Sequence, residues 1–233
     1  MKKSLTKENG LLYCVKTDRP VGRVPTMKPS ADRKAQILVA SAELFSRKGY
    51  EKTSMKDIAD QVGISKPALY HHLKSKHELL YTIMNDLMEF GIAGLEKIDQ
   101  LSVPIDEKIR LGIHHHLSSF DQYIAEYVVM LHEKTDWLPG SLEKKIKRKF
   151  KYYTTLWDKL IHEAISAKMV QPGLDPKVLM WAILGMCNWV YKWYSREGRL
   201  STSQIGEIFY QVLREGAFTK GRQKERFKFP KSN

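Results

Sequence analysis

Residues 61–78 read QVGISKPALYHHLKSKHE. The stretch holds two adjacent histidines, three lysines and a proline inside an otherwise helical pattern. A metal site, a catalytic loop and a surface built to lie against a partner are the three readings to separate. Ser65 can cap a helix, and Pro67 then falls in its first turn, where a missing N–H costs nothing. Gly63 supplies a left-handed turn between that helix and the one before it. The earlier helix opens at Ser54, with Asp57 three residues on as its capping-box partner. Ala59 is small where the two helices would cross, and Ile58, Val62, Ile64 and Leu69 can share one small core. Two short helices joined this way form a helix-turn-helix, whose second helix enters the DNA major groove.

The exposed side of that second helix would carry Lys66, Ala68, Tyr70, His71 and His72. Lysine, tyrosine and histidine donate hydrogen bonds to phosphates, and a small Ala68 lets the helix approach base edges. Ser75 with Glu78 opens the following helix, and its N-terminus at Ser75–Lys76 adds backbone donors for a phosphate. An ordinary helical hairpin with a Gly turn and a few basic residues shares some of these features.

The histidine pair does not read as a metal site. Adjacent helical side chains point about 100° apart and cannot close on one ion. The same geometry separates His114, His115 and His116, one of which is expected to face the core or a pocket and the others water. His162-Glu163 lacks the second histidine of a zinc-protease helix. There is no nucleophile elbow and no Gly-rich phosphate loop. The expectation is therefore no catalytic residue, no metal and no cofactor.

After Ser30 every segment carries a helical period, giving about nine helices and an all-α fold. Ile37, Ala40, Ser41 and Leu44 share a face, and Gly49 stops that helix. A stripe of Ile105, Ile109, Ile113, Leu117 and Phe120 follows Pro104. Another helix runs through Ile124, Val128 and Leu131, and Pro139-Gly140 breaks the chain. Ile146, Phe150, Tyr153, Trp157 and Leu160 recur at spacings of four and three, up to an expected end at Pro172-Gly173. Asp175-Pro176 caps the next helix, and Ser201 with Gln204 caps the last. The run VLMWAILGMCNWVY (178–191) is too short to cross a bilayer and is apolar almost all round. Such a helix fits a dimer interface shared with the last helix, or a fully buried core.

The formal net charge is +13. It gathers at the ends: residues 1–30 carry seven Lys/Arg against two acids, and residues 219–233 carry six against one. The interior is close to neutral, so bulk charge alone does not establish a nucleic-acid partner. Residues 1–30 read as a disordered basic tail and 219–233 as a second basic tail. Met27, just ahead of the first helical pattern, fits a native start preceded by an upstream extension. Cys14 and Cys187 make neither a disulfide framework nor a zinc spacing, and point to a reducing, cytoplasmic compartment. The N-terminus lacks the apolar segment of a secretory signal.

Residues 33–90 resemble the N-terminal domain of the TetR family of bacterial transcriptional repressors. The resemblance rests on Ala42 with Phe45, Gly49-Tyr50, Thr53-Ser54, Ile58-Ala59, Gly63-Ile64-Ser65, Leu69-Tyr70, and Lys76 ahead of Glu78-Leu79. Leu73 stands where many members have Phe. The resemblance implies phosphate contacts from Ser54, Tyr70, His71 and Lys76, and groove or base-edge contacts from Ser65, Lys66, Pro67 and Ala68. It also implies a helix-turn-helix DNA-binding domain over 31–90 and a helical ligand-binding and dimerisation domain over 91–218. A homodimer would hold a palindromic operator in double-stranded DNA and leave it when a small inducer binds, with no membrane partner.

Residues 186–205, MCNWVYKWYSREGRLSTSQI, resemble a C-terminal motif of TetR regulators of fatty-acid, steroid and aromatic-acid breakdown, which sense acyl-CoA thioesters. The helix KKIKRKFKYYTTLW (144–157) has an aromatic face and a basic face, which would suit both ends of such a ligand; a solvated basic face on a core helix accounts for it equally. The expected ligand residues are Phe120, Trp157, Asn188, Trp189 and Trp193 for the acyl part, with Arg148 and Lys151 for the phosphates. Three other functions remain open: an efflux-pump regulator sensing hydrophobic drugs, a helical enzyme acting on CoA esters, and a non-specific architectural DNA binder.

Overall fold

The computed structural model describes residues 33–216. The tails expected at 1–30 and 219–233 lie outside the described residues. Among the described residues nine α-helices follow one another: α1 (Arg33–Lys48), α2 (Met55–Val62), α3 (Lys66–His72), α4 (Lys76–Asp99), α5 (Ile105–Gln122), α6 (Ile124–His132), α7 (Gly140–Ser166), α8 (Pro176–Trp189) and α9 (Thr202–Gly216). Single 3-10 turns at Thr135–Trp137 and Val190–Lys192 precede α7 and extend α8. There is no strand among the described residues, and no helix there is long and apolar enough to cross a membrane.

Local chemistry places most helix ends. Ser54 and Asp57 form a complete capping box at α2, and Ser65, Ser75 and Asp175 cap α3, α4 and α8 through their side chains. At α4 only half of the expected box forms, because the Glu78 carboxylate accepts from the Lys74 N–H instead. Ser201 and Gln204 exchange both bonds ahead of α9. Gly63, at φ 71°, closes the α2–α3 turn in the left-handed region.

One departure from the sequence reading is the end of α7. The helix stops at Ser166, ahead of Pro172-Gly173. The Met169 N–H reaches the Ala164 carbonyl and the Lys168 N–H reaches Ile165, with Lys168 left-handed at φ 57°. This is the bonding pattern of a Schellman cap, with a lysine where glycine is usual.

Two apolar clusters fill the interior. The first joins α1–α3 and the start of α4 (Ile37, Phe45, Ile58, Leu69, Leu79, Leu80), and also takes in Val129, Leu138 and Ile146 from later in the chain. The second centres on α5 and α7, with Ile109, Ile113, Leu117, Phe120, Trp157 and Leu160. Helix α4 feeds both, through Ile83 and Met84 at one end and Leu87, Ile92 and Leu95 beyond. The boundary expected at residue 90 lies inside this helix.

The three consecutive histidines of α5 go three ways. His114 packs over Gly206 of α9 with its Nε2 3.4 Å from the Glu207 carboxylate. His115 stacks on Phe90 at 4.5 Å and bonds its carbonyl at 3.0 Å, in space left by Gly94. A Cβ at Gly94 would sit 1.9 Å from the imidazole. His116 points inward and is buried. The expectation of one inward ring and two in water is met only for His116; the other two are packed between helices, because α5 has neighbours on several sides.

Helices α8 and α9 leave an apolar face uncovered. Val178 (67 % exposed), Trp189, Ile208 and Val212 (57 %) lie open, and Ala182 and Gly185 are exposed beside them.

Candidate functional site

The short α3 presents Lys66, Pro67, Tyr70 and His71 to solvent, with Ala68 half-buried between them. Leu69 is fully buried and fixes the helix onto Ile58 and Ala59 of α2. Ser54 and Ser65 are both exposed N-caps, so each helix start offers backbone N–H groups next to a hydroxyl. The Ser54 hydroxyl also donates to Asp57, which holds that carboxyl well down, near 2. Lys66 Nζ lies 6.0 Å from the Tyr70 ring. Counting Lys76, the eight sequence-derived residues lie at the N-terminus of α2, at α3 and its cap, and at the start of α4.

Lys76 sits differently from the rest. Its ammonium bonds the Glu51 carbonyl at 3.2 Å and lies 4.2 Å from the centre of the Tyr50 ring. Glu133, capping α6, accepts from the Tyr50 backbone N–H at 2.8 Å. Burial, opposed by Glu133 and Glu51, lowers the Lys76 pKa; burial and then Glu133 push the Tyr50 phenol up to about 12. Tyr50, Lys76 and Glu133 therefore tie the α1–α2 turn, the start of α4 and the end of α6 together.

A cavity opens between α4, α5, α6, α7 and α8, with about 590 Å³ of space including its open mouth. Its walls are mostly apolar, which suits a hydrophobic ligand. Phe150 and Trp181, both partly exposed, stack 6.3 Å apart at the rim. The inner wall is polar at one place. His116 Nδ1 meets the Tyr153 hydroxyl at 2.7 Å, His116 Nε2 meets Tyr127, and Tyr127 donates to Asn188 Oδ1 at 2.6 Å. Burial drops the His116 pKa to about 4, so its ring is neutral, and raises both tyrosines.

Among the seven residues expected at the ligand, Asn188 lines this cavity. Phe120 and Trp157 are fully buried in the core behind it. Trp189 and Trp193 are about half exposed on the outside of the α8 end, and Arg148 and Lys151 are exposed on α7. The sequence-derived set did not include His116, Tyr127 or Met88, which line the cavity. For His116 a signal existed: it lies three residues after Ile113 and four before Phe120, inside the apolar stripe of α5. Among the described residues no cluster of three His, Cys, Asp or Glu could hold a metal.

Comparison with known proteins agrees with this architecture. Residues 37–82 match the model of bacterial regulatory proteins of the tetR family, and residues 102–217 match the tetracyclin repressor-like C-terminal domain. The transcriptional repressor KstR2 of Mycolicibacterium smegmatis is 24% identical over 196 residues, covering 82% of this chain and 93% of the relative. The solved structure of the ketosteroid transcriptional regulator KstR2 of Mycobacterium tuberculosis superposes with a TM-score of 0.77 at 21% identity, over 82% of this chain and 97% of that one. AibR, solved with isovaleryl coenzyme A and operator DNA, is 30% identical with a TM-score of 0.69, over 78% of this chain and 97% of that one. With a helix-turn-helix that matches one model and a cavity-bearing helical body that matches the other, the chain belongs to the TetR family of DNA-binding transcriptional regulators.

Proposed function

We propose that this regulator is a cytoplasmic repressor, which holds a palindromic operator as a homodimer and leaves it when an acyl-CoA occupies the cavity. The observation that carries the ligand class is the position of the cavity mouth. Phe150 stands at the rim, on α7, whose outer face is strongly basic. At about 100° per residue, Lys147 and Lys151 lie roughly 60° and 100° around α7 from Phe150, and Arg148 roughly 160°. Lys147 is already paired with Glu143 and Lys149, also about 100° away, with Glu89, so Lys151 is the nearer remaining cation for a phosphate and Arg148 an outer one. An acyl chain inside and a nucleotide at the rim match this division. The relatives support it: AibR was solved with a CoA thioester.

In this reading the DNA-binding division over 31–90 meets the operator through Ser54, Ser65, Lys66, Pro67, Ala68, Tyr70, His71 and Lys76. The rest, over 91–218, binds ligand and partner subunit. The open face of α8 and α9 is the dimer surface, where two copies would make a four-helix bundle. Helix α6 joins the two tasks. Tyr127 lines the cavity, and Glu133, about 9 Å further along the axis, holds the Tyr50 N–H. An acyl group that displaces Tyr127 moves α6 as a rod and shifts the α1–α2 turn. A hundredfold preference for the displaced state is worth about 2.7 kcal/mol.

The test is an anisotropy titration with DNA from upstream of the protein's own gene. Long-chain or ring-bearing acyl-CoA should release the operator, while free acid and free CoA act feebly. Release by hydrophobic drugs and by no CoA thioester would replace this reading with an efflux-pump regulator.

A further inference from the structure

The wall of the cavity carries one polar device that an alkyl chain has no use for. Four buried or half-buried side chains from four helices line up: Tyr153 (α7), His116 (α5), Tyr127 (α6) and Asn188 (α8). Buried polar groups are costly unless each proton has an acceptor, so the protons in such a chain must run one way.

The direction follows from the end at Asn188, where Tyr127 donates to Oδ1 and so commits its only proton. The Tyr127 oxygen can then only accept from His116 Nε2, which leaves Nδ1 of the neutral ring to accept from Tyr153. Neutral His116 then carries its proton on Nε2 and donates to the Tyr127 oxygen. Tyr127 donates in turn to Asn188 Oδ1. Every acceptor in the chain is used, and the Oδ1 end of the amide is turned inward. What remains is the Asn188 NH₂, which has no partner among the described residues, on a residue that lines the cavity. The reversed chain would need the amide NH₂ at the Tyr127 hydroxyl, where Oδ1 stands.

We propose that Asn188 is a specificity residue whose amide NH₂, aimed by the Tyr153–His116–Tyr127 chain, donates to a carbonyl oxygen on the ligand. Tyr127, His116 and Tyr153 are positioning residues. The carbonyl has two sources in a CoA ester: the thioester itself, or an oxo group further along the acyl part. The inference deepens the acyl-CoA reading, although the recognition of a carbonyl does not depend on coenzyme A.

The experiment compares matched probes by calorimetry on the full chain and on Asn188→Leu, which keeps the side-chain volume and removes the donors. The first pair is octanoyl-CoA and its S-octyl thioether; the second is 2-nonanone and nonane. The wild type should prefer the carbonyl member of at least one pair by about tenfold, the worth of one net hydrogen bond. Asn188→Leu should abolish that preference, leaving the two members of the pair with similar affinities. Tyr127→Phe, which frees the amide to turn, should shrink the preference without removing binding. A thioether carrying a 7-oxo group separates the sources: recovered affinity assigns the distal carbonyl, and none assigns the thioester. Preference confined to the ketone pair, with no CoA compound bound, keeps this inference and overturns the CoA reading. CoA compounds that bind with no preference do the reverse. Equal loss of both members in Asn188→Leu, or no binding of any probe to the wild type, overturns the inference.

Discussion

His116 cannot ionise where it lies without losing the bond that its Nδ1 accepts from Tyr153. Its folded pKa is near 4 against an ordinary 6.5, so between those values the unfolded chain binds more protons. Stability conferred by the neutral ring is therefore complete above pH 6.5 and is lost as pH falls toward 4. Glu126 acts in the opposite sense. Burial, and then Glu43, push its carboxyl up to about 7, so it favours the folded state at low pH. Comparing wild type with His116→Gln cancels the Glu126 effect. Urea midpoints should show the wild type losing roughly 2 kcal/mol more than the variant between pH 7 and pH 5. An equal loss would mean that the buried ring is not neutral. On the DNA side, Tyr70→Phe removes an exposed phenol that the proposed reading sets against a phosphate. Its affinity should fall by a similar factor, about fivefold, for operator and random DNA alike, measured at fixed salt. A change confined to operator would make Tyr70 a base contact. The sequence made the α3 surface legible because capping and the Gly63 turn dictate which side chains face out. The polar chain was not legible, since Tyr127, Tyr153 and Asn188 lie 26 to 61 residues apart and only packing brings them together.

Helix α6 is short, and both of its ends are engaged. Tyr127 is committed to the cavity, Val129 is buried in the cluster beneath the DNA-binding helices, and Glu133 is bonded to Tyr50. Glu133→Ala removes the acceptor for the Tyr50 N–H and a counter-charge for Lys76. Thermal melts should show a loss of about 1–2 kcal/mol. In the same variant, the ligand concentration needed to release operator should rise several-fold with ligand affinity for the free protein unchanged. Unchanged release would place the coupling outside α6. Helices as units were read well where a side chain marks the start, as at Ser54, Ser65, Ser75 and Asp175. They were read less well where the backbone alone makes the stop. Lys168 ends α7 in a conformation that glycine usually supplies, so Pro172-Gly173 drew the boundary too late.

The open apolar face of α8 and α9 covers too many large side chains to stay in water without consequence. Ala182→Glu and Val212→Glu each place a charge where two copies would meet, and each should give monomers by sedimentation at micromolar concentration. Dimers in both variants would move the interface elsewhere. With the dimer intact, half-sites should be spaced by about 34–36 Å or a multiple of it.

Helix α4 has a further consequence, for how the molecule comes apart. One rigid rod supplies side chains to both apolar interiors, and Val129, Leu138 and Ile146 return from the far half of the chain to seal the first. No cut separates the DNA-reading end from the rest without opening a core. The reading end should therefore have no melting temperature of its own. Scanning calorimetry should show one heat-absorption peak, with calorimetric and van't Hoff enthalpies close to equal. A fragment ending at residue 90 should stay unfolded, and whatever tightens the cavity should delay the melting of α3 by as many degrees as that of α8.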